Sequence, residues 1–255
     1  MSILFIITAI NSLVLFLLTF LLAVAIRNNG IVDIVWGIGF VLIALTASLF
    51  AYPSFAGQLI LVYVIIWGLR LAWHIGKRNL GKPEDFRYAT WRKDWGKSWL
   101  IRSFFQIFVL QWLLMQLVAI PIVMGITGQF LIPTWMQYLG MFIWLIGFFF
   151  EAVGDYQLEV FKRKPSSKGK LMTTGLWSLT RHPNYFGEAT LWWGVAILAY
   201  GTSQNLLVFL GPLTINFLLL YVSGIPMLEK KYQSRADWRV YAKKTSAFFP
   251  LPPKR

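Results

Sequence analysis

Residues 3–26 read ILFIITAINSLVLFLLTFLLAVAI, an unbroken run without one charged side chain. Such a run is stable only in the hydrocarbon of a bilayer, which about 20 helical residues cross. Further apolar windows follow at 31–50, 58–78, 101–125, 135–158, 185–201 and 204–226. No barrel-type alternation appears between them, so the sequence predicts an all-α polytopic bundle of about seven transmembrane helices. The composition, 57% hydrophobic and 13% charged, excludes a water-soluble globule and a disordered chain. With 255 residues and these spans no room remains for a soluble module, so 1–255 reads as a single membrane domain. Ala23-Val24-Ala25 has the small-residue pattern of a signal-cleavage site. No basic segment precedes it and the apolar run is too long, so it reads as a retained helix.

The net charge of +14 invites a nucleic-acid partner, but its placement argues for none. Apart from Arg70, the cations sit at Arg27, Lys77–Arg102, Lys162–Arg181 and Lys230–Arg255. The alternate loops 51–57, 126–134 and 201–204 contain none. Lys and Arg gather in cytoplasmic loops, so the N-terminus is expected outside and the C-terminus in the cytoplasm. The basic excess then belongs to topology, anionic lipid or an anionic ligand. The chain has no cysteine, which excludes disulfides, a thiolate nucleophile and thiolate metal ligands.

The densest binding chemistry lies at 179–188, Leu-Thr-Arg-His-Pro-Asn-Tyr-Phe-Gly-Glu. Arg181 offers a fork of donors, His182 an imidazole, and Asn184, Tyr185 and Glu188 further polar atoms. Pro183 suits the first turn of a helix, and a helix mouth beside basic groups attracts anions. Ahead of it, 162–170 carries five cations in nine positions, able to hold phosphates. Ionisable groups within spans are costly and mark function by default. Here they are Asp33, the one-face pair Arg70 and His74, the stripe Glu151, Asp155 and Glu159, then Glu188 and Glu229. Their common level predicts one polar cavity open to the cytoplasm; the structural alternative is interhelical ion pairs such as Arg70 with Asp155. Two histidines without ligand spacing predict no metal site, and Gly37-Ile38-Gly39 lacks the third glycine of a dinucleotide fingerprint.

Several of these segments resemble the steroid 5α-reductase family, closest to its bacterial membrane branch. They are Asp155-Tyr156, the basic loop, Gly175-Leu176-Trp177, Asn184 to Glu188, Glu229 to Tyr232 with Trp238 and Tyr241, Ala247 to Pro250, and Asn79-Leu80-Gly81-Lys82-Pro83. The resemblance covers most of the chain and is densest over 151–250, which it marks as the cofactor-binding half. It implies helices enclosing NADPH and a lipophilic 3-oxo-4-ene steroid or similar enone, with hydride passing to the β-carbon of the enone. It implies an acid hydrogen-bonding the carbonyl, at Asp33 by position. Burial would keep that carboxyl protonated. It carries cofactor roles to Asn79, Lys82, Asp155, Lys162, Lys170, Asn184, Glu188 and Tyr232. Arg181, His182 and Tyr185 lie inside the matched motif, and Arg70, His74 and Glu229 join the cofactor set from their helical placement. Tyr63, with catalytic Asp33, and Trp67 are candidates for the family's partner tyrosine on span three; Trp36 and Trp67 are expected against substrate. The departures are Val32-Asp33 where the family has Gln-Glu and the absence of a certain counterpart to that tyrosine. An integral membrane protein of the bacterial inner membrane is implied, with the cofactor side facing the cytoplasm.

Arg-His-Pro-x-Tyr-x-Gly also resembles isoprenylcysteine carboxyl methyltransferases, which use S-adenosylmethionine. Sterol C14 and C24(28) reductases share the tail pattern. S-adenosylmethionine carries no phosphate and gains little from Lys162, Lys164, Lys168 and Lys170, whereas NADPH carries a pyrophosphate and a 2′-phosphate. The lysines and Asp33 favour the reductase.

Overall fold

The computed structural model describes residues 2–254. The protein is an all-α polytopic membrane protein, with no strand among the described residues. Among the described residues, six helical stretches are long and apolar enough to cross a bilayer. They are α1 (Ser2–Ala25), α2 (Ile31–Leu49), α3 (Phe55–Asn79), the run Phe86–Thr127, the helix Thr134–Arg163 and the run Leu206–Tyr232. The run Phe86–Thr127 comprises α4 (Phe86–Trp95), α5 (Trp99–Ser103), a π-helical stretch Phe104–Val109 and α6 (Leu110–Thr127). Next come α7 (Thr134–Arg163), α8 (Leu176–Leu179) and α9 (Pro183–Ser203). The last are α10 (Leu210–Phe217), α11 (Ile225–Tyr232) and α12 (Ala236–Lys244).

Among the described residues, six of the seven expected windows meet that test of length and apolarity. The window 185–201 does form a continuous helix, the 21-residue α9, but Asn184, Glu188, two tryptophans and its glycines dilute its apolar character. The chain divides into two compact units, Met1–Pro133 with Leu198–Gly211, and Thr134–Ile197 with Pro212–Arg255.

In the first unit α2 and α3 form an antiparallel hairpin. It closes where Gly37 meets Gly68: a Cβ on Gly68 would lie 2.6 Å from the Gly37 carbonyl oxygen. Lipid offers no hydrophobic drive between helices, so close backbone approach at small residues supplies dispersion contact instead. Phe40, Trp67, Phe108 and Met115 fill the interior. Thr8, Ser12 and Thr19 of α1 turn inward too: Ser12 Oγ accepts from Trp112 Nε1 at 3.2 Å and Gln116 Nε2 at 3.1 Å.

In the second unit α7 and α9 pair antiparallel along glycines seven residues apart, Gly140, Gly147 and Gly154 against Gly187 and Gly194. A Cβ on Gly194 would lie 2.6 Å from the Trp144 amide nitrogen, and one on Gly187 would strike the Glu151 backbone. This seam carries Glu151 and Asp155 to the first turns of α9.

Candidate functional site

The motif at 179–188 is held by the end of its own chain. Extended Thr180 bridges Ser246, the Arg181 amide donates to the Ser246 carbonyl at 2.9 Å, and the Leu251 amide donates to the Leu179 carbonyl at 3.0 Å. Arg181 adds a side-chain tie. Its Nε donates to Glu229 Oε1 at 2.8 Å and its Nη1 to the carbonyls of Ala242 and Thr245 at 2.9 and 2.6 Å. Buried His182 places Nε2 3.1 Å from the same Glu229 oxygen and stacks on Tyr185. Arg181, His182 and Glu229, expected on a cofactor, thus converge on one another. A planar fork satisfies a carboxylate and backbone carbonyls together, and a mostly buried cation needs that many acceptors. Tyr232 stacks on Trp238 at 5.3 Å, and the Tyr241 hydroxyl donates to the Trp177 carbonyl. Burial pushes the Tyr241 phenol well up, so it stays a donor.

Pro183 begins α9 and Asn184 follows in its first turn. Asn184 Nδ2 donates to Asp155 Oδ1 at 3.2 Å, while its Oδ1 is buried with no hydrogen-bond donor. A buried amide oxygen left so costs about 1–3 kcal/mol, and it marks where a ligand N–H or O–H fits. Glu188 is half-buried one turn on, and Glu159 pairs with Arg163. Lys162, ending α7, and Lys170 are exposed. Arg235 Nη2 fastens the loop by donating to the Gly169 carbonyl at 2.6 Å and pairs with Asp237, whose carboxyl that bond holds below its usual range.

The first unit contains the second cluster. Asp33, in the first turn of α2, accepts from Arg87 Nη2 at 2.9 Å and from the Tyr88 hydroxyl at 2.6 Å. Gln111 Nε2 reaches the Tyr88 oxygen at 3.4 Å. Asp85 caps α4 by accepting from the Arg87 amide at 3.0 Å and takes Arg87 Nε at 2.9 Å. Burial works to raise the Asp85 carboxyl, but those Arg87 bonds hold it below its usual range. Beside it Glu84 accepts from Arg92 and from the Asn29 amide, the latter at 2.6 Å. Asn29 Nδ2 donates to Ser103 Oγ at 3.0 Å.

Asp33 is therefore an acceptor with both oxygens engaged, a different role from the protonated donor expected of it. Tyr63 is buried on α3, but at the wrong level for partnership. Asp33 precedes Gly37 by four residues and Tyr63 precedes Gly68 by five, which in an antiparallel pair puts them on opposite sides of the crossing. At the helical rise that is roughly 13 Å along the axis. The tyrosine against Asp33 is Tyr88. Trp36, Phe40 and Trp67 form an aromatic ladder with centroids 5.3 and 5.6 Å apart. Arg70 and His74 bracket the level of Asp33 along α3. At the end of α3, Asn79 Oδ1 accepts from Arg78 Nε at 3.1 Å and its Nδ2 is buried without an acceptor; Lys82 is exposed in the turn beyond. Glu84, Arg87, Tyr88 and Arg92 were missed in the sequence. The available signal was Glu84-Asp85-Phe86-Arg87-Tyr88, two carboxylates followed by a cation and a phenol, in a loop beside a span with a lone acid.

Of known proteins, a 62-residue stretch is 44% identical to one from Ustilaginoidea virens described as "Probable O-methyltransferase ustE". That match takes in 24% of this chain and 22% of the relative, about a fifth of its length. No solved structure matches the chain. The matches are compatible with a membrane enzyme. The family profile is far broader, aligning with residues 19–245, and by that match the chain belongs to the family described as "Protein of unknown function (DUF1295)".

Proposed function

We propose that this protein is an NADPH-dependent membrane reductase acting on the conjugated double bond of a flat, lipophilic enone, of which a 3-oxo-4-ene steroid is the type. The observation that carries the reading is the Asp33–Tyr88–Arg87 cluster, an acid, a phenol and a cation on one polar group at the head of a membrane helix. Reduction of an enone builds negative charge on its carbonyl oxygen, and preorganised donors lower that barrier. Asp33 anchors Tyr88 and Arg87, and either donor can turn to that oxygen. A phenol of this kind can also supply the proton the enolate needs.

The residues present suit a dinucleotide. Within the second unit Asn184 Oδ1 lacks a donor, matching a carboxamide, an amino group or a ribose hydroxyl. Asp155 orients Asn184, Lys162 and Lys170 supply charge for phosphates, and Glu188 and Tyr185 line the same turns of α9. Bound NADPH would supply the hydride for the β-carbon. Arg181, His182 and Glu229 position the motif and Tyr232 supports the tail. The positive-inside pattern of Lys and Arg supports placing the cation-bearing loops in the cytoplasm, the compartment that holds NADPH.

A second reading is favoured by one observation, the stretch similar to a probable O-methyltransferase. In it the motif would hold S-adenosylmethionine. The test is turnover of NADPH by the purified protein with a 3-oxo-4-ene steroid. Asp33→Asn is expected to abolish turnover with NADPH binding intact; methyl transfer from S-adenosylmethionine without NADPH oxidation would replace the reading.

A further inference from the structure

Seen down α7, the residues at 156, 157, 160 and 161 lie about 100–240° around the helix from Asp155, on the face turned away from the motif, and extended Lys164 follows the helix end. That face carries an open groove of its own. Tyr156, Val160, Phe161 and Met172 wall it, and Lys164 and Thr174 form its polar rim. None of these residues belongs to the proposed dinucleotide set.

Three features describe what fits. The groove lies at the C-terminal end of a helix long and apolar enough to cross a bilayer, so its level is that of the headgroups. Its walls are apolar and its rim cationic, the profile of an amphiphile with an anionic head. Around it the chain has no carboxylate between Glu159 and Glu188, while that interval holds Lys162, Arg163, Lys164, Lys168, Lys170 and Arg181. Arg163 is paired with Glu159 and Arg181 with Glu229, whereas Lys164 lines the groove and Lys168 and Lys170 follow in the loop. Juxtamembrane lysines of this density attract anionic lipid.

We infer that this groove is a binding site for one anionic phospholipid of the surrounding bilayer, its phosphate on Lys164 and its glycerol and upper acyl carbons on Tyr156, Phe161 and Met172. The occupant has a route to the motif. Gln157 also lines the groove, and its Oε1 accepts from the Leu176 amide at 3.0 Å, while Trp177 Nε1 donates to the Gly154 carbonyl at 3.0 Å. A lipid seated there braces the turn that leads into Arg181.

The test uses the full chain in detergent, titrated separately with phosphatidylglycerol, phosphatidylcholine and inorganic phosphate, with retained lipid counted by native mass spectrometry. One phosphatidylglycerol is expected to stay bound, with phosphatidylcholine about tenfold weaker and inorganic phosphate unable to displace it. Lys164→Glu should weaken retention by about tenfold or more. Lys243→Glu, an equal charge change on α12, should leave it unchanged. Thr174→Trp, which fills the groove without altering charge, should abolish it and serves alone should Lys164→Glu fail to fold. Equal retention of phosphatidylcholine, displacement by inorganic phosphate, or full retention in either groove variant would overturn the assignment.

Discussion

At the scale of single residues, Asp33, Tyr88 and Arg181 carry the most specific expectations. Tyr88→Phe removes the bond from a buried phenol to the mostly buried Asp33 carboxyl and the longer one from Gln111, which should cost about 1.5–3 kcal/mol of stability. If Tyr88 meets the carbonyl, turnover should nevertheless fall by about a hundredfold while the affinity for NADPH stays within about twofold. Wild-type turnover in Tyr88→Phe would remove the phenol from the chemistry. Arg181 is different, because its contacts all lie within the chain. Arg181→Lys keeps the charge and loses the fork that reaches Glu229, Ala242 and Thr245 together. The amides of residues 245–251 should therefore exchange hydrogen faster in Arg181→Lys and in Arg181→Ala alike. Rescue of their protection by Lys would show that charge alone holds the tail.

At the scale of elements, the α7–α9 seam is the part that tolerates least change. Gly187→Ala puts a methyl group on the Glu151 backbone, where helix axes rather than a side chain must move. Overpacking of that kind costs about 1–3 kcal/mol, read as a lower unfolding temperature. Leu213→Ala on an exposed face of α10 should leave that temperature nearly unchanged, and an unaltered Gly187→Ala would mean the helices are not in contact. The seam also shows what the sequence could and could not disclose. The long apolar runs were legible because hydrocarbon imposes a length and forbids charge. The seven-residue glycine spacing was present but silent, since glycine counts toward neither pattern. Short, polar α4 gave no apolar signal, so Arg87 and Tyr88 stayed hidden although Asp33 stood out. Asn184 and Asp155 were legible as candidates; their hydrogen bond depends on two segments meeting in the fold. Arg181 and His182 read as ligands for an anion because nothing local reveals that Glu229, 48 residues from Arg181, takes both.

At the scale of the whole molecule, composition and the helices define an integral membrane protein, and family membership spans nearly the entire chain. What divides the two functional readings is the cofactor. On the proposed reading NADPH would present phosphates to the lysine-rich loop and a donor to the Asn184 amide oxygen, whereas S-adenosylmethionine would present a cation. The decisive measurement is the unfolding temperature of the full-length protein in detergent, titrated with NADPH and, separately, with S-adenosylmethionine. A ligand that binds only the folded state raises it saturably. The expected result is a saturable rise with NADPH, diminished in Asn184→Ala, and no change with S-adenosylmethionine. A rise with S-adenosylmethionine and none with NADPH would contradict the reductase.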